Sequence, residues 1–247
     1  MYFIGIDLAW SNKNASGIAV IKGSKNKGEV IYSGIIHSDK EIIDFINNNI
    51  GDKYAFIAID APLIVPNKEG RRIAEAEVGK LFRKYNAGAH PANRTRLGSW
   101  SGGKIRGEEI SKLLEKNGFK QSPFIKKSES SRKFFEVYPH PSMVVLFNLE
   151  SVLKYKNKPK RDYNFRWLEF KKYQNYLKKL KNPAIIIPKE ITEKKLKGLR
   201  GGSLKNYEDR LDAIFCAYIA YYFWLHPEKC KVLGNMKGGY ILTPVFQ

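Results

Sequence analysis

The chain has 247 residues, 44 Lys and Arg against 24 Asp and Glu, and a formal charge of +20, within an ordinary globular balance of 43% hydrophobic and 28% charged residues. Two cysteines exclude a disulfide framework, and no apolar run reaches the roughly 18 residues that a membrane span requires. The basic excess favours a polyanionic partner through summed phosphate contacts and counterion release; the alternative is a generally basic surface with no dedicated ligand.

Residues 1–10 form an apolar, strand-like run that delivers Asp7 into a polar turn at 12–16. A carboxylate in such a run is costly unless it is paired, hydrogen-bonded or bound to metal. Residues 17–22 and 29–36 are further strand candidates bounded by Gly, Asn and Ser clusters, which predicts an antiparallel meander. Ser38 or Asp39 caps a helix with Ile42, Ile43, Phe45 and Ile46 on its apolar face, ended by Gly51. Residues 54–59 predict a fourth strand, closed by Asp60-Ala-Pro62. The helical crossover favours a parallel neighbour for it. If that neighbour is the first strand, Asp7 and Asp60 share the carboxyl-terminal sheet edge, where ligands of open α/β sheets bind.

Residues 69–84 predict a helix carrying Arg71, Arg72 and Arg83, followed by a long irregular loop over 85–103 that holds Arg94 and Arg96. A helix is expected over 106–117, an exposed Ser/Lys-rich stretch over 120–132, and a fifth strand over 133–138. Helices over 141–149 and 164–180 flank a basic linker at 154–161. The second of these carries Trp167, Phe170 and Tyr173, read as a core stripe ahead of an aromatic stacking platform. A short apolar piece at 184–187, a long helix over 207–225 capped by Ser203 or Asn206, and a last apolar piece at 239–244 complete the chain. Met1 leads straight into a strand, so a soluble, cytoplasmic protein is expected.

The chemistry-bearing set is acidic: Asp7, Asp60, Glu136, Asp209 and Asp212. Asp209 and Asp212, three apart on a helix, share a face. Clustered carboxylates raise one another's pKa, and a divalent cation removes that conflict. Singly, Asp7 and Asp60 read equally as turn-forming aspartates, and Asp209 and Asp212 as acids favoured by a helix dipole. Glu136, between aromatics in a strand, needs a partner or a solvent-facing edge. Arg71, Arg72, Arg83, Arg94 and Arg96 are candidate phosphate contacts or solvated surface. His140 is a candidate acid/base or a structural histidine.

In their order, Gly5-Ile-Asp7-Leu-Ala, Ile59-Asp60-Ala-Pro62-Leu63, Glu136-Val-Tyr138-Pro139-His140 and Asp209-Arg-Leu-Asp212-Ala213 resemble a family of predicted RNase H-like nucleases long filed as a domain of unknown function. Gly239 followed by a hydrophobic strand and Pro244 also matches; the likeness is weak over 64–135 and 145–205. The resemblance implies one α/β domain over 1–247 with a mixed five-stranded RNase H-like sheet, three antiparallel strands then parallel ones, flanked by helices. Helical insertions fall at about 64–132 and 142–205. It further implies a nuclease in which two Mg²⁺ or Mn²⁺ ions, bridged by Asp7 and held by Asp60 or Glu136 with Asp209 and Asp212, hydrolyse DNA or RNA. Glu208 stands beside Asp209, so either could bind metal. A non-catalytic nucleic-acid-binding protein, an actin- or sugar-kinase-like relative and a small-molecule phosphoesterase are the rivals. No obligate protein partner is evident.

Overall fold

The first strand is apolar on both faces because it lies at the middle of a sheet covered on both sides. In the computed structural model, which describes residues 1–247, the chain runs β1 (Tyr2–Asp7), β2 (Ser16–Gly23), β3 (Lys27–Ile36), α1 (Asp39–Asn49), β4 (Ala55–Ile59), α2 (Ile73–Phe82), α3 (Arg94–Gly98), α4 (Arg106–Lys116) and β5 (Lys120–Gln121). It continues through β6 (Arg132–Glu136), α5 (Pro139–Leu146), α6 (Tyr163–Lys178), β7 (Ala184–Ile186), α7 (Lys189–Thr192), α8 (Gly201–Leu225), β8 (Cys230–Asn235) and β9 (Gly239–Pro244). No helix is long and apolar enough to cross a membrane.

The expected meander is present: β1 pairs antiparallel with β2, and β2 with β3. After α1, β4 returns parallel to β1, and β6 lies parallel to β4. The sheet has seven strands rather than the five expected, in the order β5-β6-β4-β1-β2-β3-β7. The two additions are edge strands of two and three residues, too short to print an alternating pattern on the sequence. A separate ribbon, β8 with β9, closes the chain.

Alternation along the strands sorts the core into two layers. Phe3, Ala19, Phe56, Ala58 and Phe135 face α5, α6 and α8, whereas Ile4, Ile6, Ile57, Ile59 and Phe134 face α1 and α4. The long helix begins at Gly201, well before residue 207, with the Ser203 hydroxyl accepting from the Arg200 amide. The two glycines read as breakers, but they sit at its exposed first turn, where they cost little. From there α8 lies directly on the centre of the sheet. A Cβ at Gly5 would collide with the Ala213 carbonyl, and one at Gly17 with the Asp209 carbonyl, so glycine at both positions sets how closely the helix approaches.

Candidate active site at the carboxyl-terminal edge of the sheet

That close approach builds the site. Asp7 is in register with Gly17 on β2, and the Asp209 backbone passes over Gly17. On the other side of Asp7, the Asp60 amide donates to the Ile6 carbonyl at 2.9 Å, so Asp60 continues β4 directly beside Asp7. Asp7 shares a sheet face with Phe3 and Gly5, and Asp60 with Phe56 and Ala58; this is the face that α8 covers. Asp7, Asp60, Asp209 and Asp212 are thereby brought together.

Of the four, Asp209 and Asp212 form ion pairs. Lys205 Nζ lies 2.5 Å from Asp209 Oδ1 and 3.0 Å from Glu208 Oε1. Lys156 Nζ lies 3.0 Å from Asp212 Oδ2, while Asp212 Oδ1 accepts from the Tyr155 hydroxyl at 2.7 Å and the Tyr173 hydroxyl at 3.3 Å. Asp212 Oδ2 has no hydrogen bond of good geometry, so Lys156 balances it mainly as a charge. Glu208 also takes Arg166 at 3.3 Å, so two cations engage it. Asp7 and Asp60 have no such partner. Burial pushes the Asp7 carboxyl well above the usual range, and repulsion from Asp212, Asp60 and Asp209 adds to it despite Lys156. Asp60 is pushed up to about 7, first by burial and then by Asp212 and Glu136, against the attraction of Lys156. Burial works against the Lys156 ammonium, but Asp212, Asp7 and Asp60 outweigh it and hold the amine charged.

Asp7, Asp60 and Asp209 line a cleft of about 1000 Å³, whereas Asp212 is fully buried and does not reach it. Five cations line it: Lys154, Lys156, Lys158, Arg161 and Lys205. Tyr138 and His140 stand in it with Tyr138 Oη 2.9 Å from His140 Nδ1, and burial, reinforced by Lys156 and Lys158, drives the His140 pKa well below 6.5. His140 is therefore neutral at pH 7. It shares the cleft with Asp60, as its sequence position after Tyr138-Pro139 suggested.

Three expectations need correction. Glu136 does not join the aspartates: it is in register with Ile59 and shares a face with Phe134, on the far side of the sheet from Asp60. Its carboxylate is fully engaged there, accepting from Arg72 Nη2 at 2.5 Å, Arg72 Nη1 at 3.0 Å and the Leu63 amide at 2.9 Å. Arg72 in turn is buried between Glu136 and Glu75, so it is not a phosphate contact but the centre of a structural ion triad; α2 starts after it rather than at residue 69. The other arginines do not line the cleft: Arg71 and Arg83 are exposed elsewhere, and Arg94 pairs with Glu108 at 2.7 Å. Arg96 comes nearest, its guanidinium 5.4 Å from the ring of Trp10 at the cleft mouth.

A divalent ion can be held by one or two carboxylates completed by water and substrate oxygens, as is common for Mg²⁺. Asp7 and Asp60, hard oxygen donors without a direct ion-pair partner on adjacent strand ends, fit that requirement for one ion. No group of three His, Cys, Asp or Glu side chains is spaced to hold an ion by protein ligands alone. A pH test follows for the metal-free protein. An aspartate titrates near 4 when unfolded, so the folded state holds the Asp60 proton more tightly between about pH 4 and 7. The stabilisation is complete below pH 4 and is lost as pH rises through 7. The melting temperature of wild type minus that of Asp60→Asn, in EDTA, is expected to fall between pH 5 and 8; a flat difference would remove this assignment. The difference is needed because His140, neutral when folded, tilts the wild-type profile the opposite way.

The fold and site define an α/β protein with a carboxylate-floored, cation-lined cleft at the edge of a mixed sheet. The sequence belongs to the family described as "Protein of unknown function (DUF429)", which it matches over residues 5–236. No curated protein matches it.

Proposed function

We propose that this protein is a divalent-metal-dependent nuclease of RNase H-like architecture, hydrolysing phosphodiester bonds at the Asp7–Asp60 end of the cleft. The observation that carries the reading is the pair of carboxylates without ion-pair partners on adjacent parallel strand ends, facing a cleft that also holds four lysines and an arginine. Asp7 and Asp60 hold Mg²⁺ or Mn²⁺. The ion, when bound, supplies positive charge to a phosphate oxygen and acidifies a water. Asp212 anchors Lys156 through its Oδ2, and the two tyrosines on Oδ1 fix the carboxylate so that the ammonium stays at the floor. Lys156 thereby presents a second positive charge beside Asp7 and Asp60, and the site takes one ion rather than the two that the family resemblance implies. Lys154, Lys158 and Arg161 bind flanking phosphates. His140, half-buried and neutral beside the Tyr138 hydroxyl, offers the cleft a hydrogen-bonding ring rather than a charge.

The experiment is calorimetric titration of Mn²⁺ into the full chain. Wild type is expected to bind one ion, and Asp60→Asn to lose most of that affinity while keeping its fold by circular dichroism. Absence of Mn²⁺ binding by wild type, or binding indifferent to Asp60→Asn, would overturn the metal site and leave a nucleic-acid-binding protein without this chemistry.

A further inference from the structure

Two tryptophans at the mouth of the cleft are left largely in solvent. Trp10 follows Asp7 by three residues and is 41% exposed; Trp100, just beyond α3, is 57% exposed. Both line the same cleft as Asp7 and the lysines, and their rings meet edge to face with centroids 6.5 Å apart. Large aromatic rings left in solvent beside one another forgo the burial that would stabilise them. The other two tryptophans of the chain are packed and hydrogen-bonded, with Trp224 buried and donating to the Glu129 carbonyl and Trp167 half-buried and donating to the Leu199 carbonyl.

The exposed pair is nevertheless held in place. Buried Arg106 donates through Nη1 to the carbonyls of Ala9 at 2.8 Å and Ser11 at 3.0 Å, clasping the residues on either side of Trp10, and its Nε is tied to Asp39 at 2.8 Å. Asn93 caps α3 by accepting from the Arg96 amide at 2.8 Å, and the Trp100 amide closes the end of that turn on the Leu97 carbonyl at 3.2 Å. Arg96, from the same helix, lies against the Trp10 ring. A hydrogen-bonded backbone under exposed rings suits a contact surface, because less ordering is left to be done on binding.

We propose that the cleft takes single-stranded nucleic acid, with bases stacking on Trp10 and Trp100 and the backbone following Lys154, Lys158 and Arg161 towards Asp7 and Asp60. Stacking on an aromatic ring needs a base whose face is free, a condition met by a single strand and not by the interior of a duplex; alternating aromatic and cationic groups along one groove are how such strands are bound without reading sequence. The inference deepens the nuclease reading by naming its substrate, but it concerns binding alone, so its test does not depend on cleavage.

Fluorescence anisotropy of labelled oligothymidylate and oligouridylate, titrated with the full chain in EDTA, measures that binding, and the intrinsic tryptophan emission follows it. Single strands are expected to bind and quench, duplex of the same length to bind more weakly. Trp10→Ala and Trp100→Ala are each expected to weaken single-strand binding about tenfold, with Trp→Phe at either position recovering most of it. Matching melting temperatures for these variants separate lost contact from lost fold. Duplex binding equal to single-strand binding, equal competition by inorganic polyphosphate, or full affinity in both alanine variants would each overturn the proposal. Single-strand binding with these signatures in a protein that shows no Mn²⁺-dependent cleavage would uphold it and sink the nuclease reading instead.

Discussion

Asp7→Asn is expected to lower Mn²⁺-dependent cleavage of an oligonucleotide by about a hundred- to a thousandfold, the scale on which loss of a preorganised electrostatic element acts in other active sites. The substitution is nearly isosteric and removes a charge that has no ion-pair partner, in a place where burial already works against ionisation. The fold is therefore expected to survive, and the melting temperature of the metal-free variant to equal or exceed that of wild type at pH 8. This combination of lost activity with kept or raised stability is the signature of a residue held under electrostatic strain for chemistry. An oligonucleotide cleavage assay run beside a thermal melt reads both quantities. Cleavage within about tenfold of wild type would remove Asp7 from the mechanism; a melting temperature lowered by many degrees would show instead that the carboxylate holds the strand end together.

The same logic explains which parts of the site were legible in the sequence. Asp7 and Asp60 each end a fully apolar run, and a strand-helix-strand order between them brings parallel neighbours to one edge, so their meeting followed from chain order and topology alone. Asp209 and Asp212 were legible because helical spacing fixes a shared face. Glu136 was misplaced because its face depends on register. In the run Phe134-Phe135-Glu136-Val137 the residues at 134 and 136 point one way and those at 135 and 137 the other. The sequence offers aromatic residues on both sides and gives no clue to which side α8 will cover. Lys156 was missed for a different reason. It lies in Lys154-Tyr155-Lys156-Asn157-Lys158, a stretch without periodicity that reads as a solvated linker, and only Tyr155, fully buried and bonded to Asp212, shows that the segment is drawn into the core. A tyrosine inside a basic run was the available signal. The tryptophans at positions 10 and 100 lie far apart in the chain in two loops, and nothing local joins them.

Arg72→Met is expected to destabilise the protein by about 3–5 kcal/mol, the cost of leaving buried carboxylates without their cation. Arg72 is almost fully buried and donates to Glu75 Oε1 at 2.5 Å, to both oxygens of Glu136 and to the Ile64 carbonyl at 2.9 Å, tying β6, α2 and the segment after Asp60 to one another. Burial raises the Glu136 pKa even with Arg72 and the Leu63 amide opposing it, and Arg72 is the larger of the two opposing influences. Removing the guanidinium leaves Glu136 with the Leu63 amide alone and forces at least one of the two carboxylates to take up a proton. For a chain of this size, roughly 2–4 °C of melting temperature accompanies each kcal/mol, so a drop of about 10 °C is expected at pH 7. Because a protonated carboxyl tolerates the lost partner, the deficit is expected to shrink on going to pH 5. A triple change to apolar residues of similar volume at positions 72, 75 and 136 is expected to recover much of the stability, since replacing a whole buried ion cluster costs far less than breaking it. The measurement also separates the two roles that acidic residues play here. Glu136→Gln is expected to lower the melting temperature while leaving Mn²⁺ affinity within a few fold of wild type, the reverse of Asp60→Asn. Loss of Mn²⁺ binding in Glu136→Gln, with the fold intact, would return Glu136 to the metal site and require β6 to present its other face there.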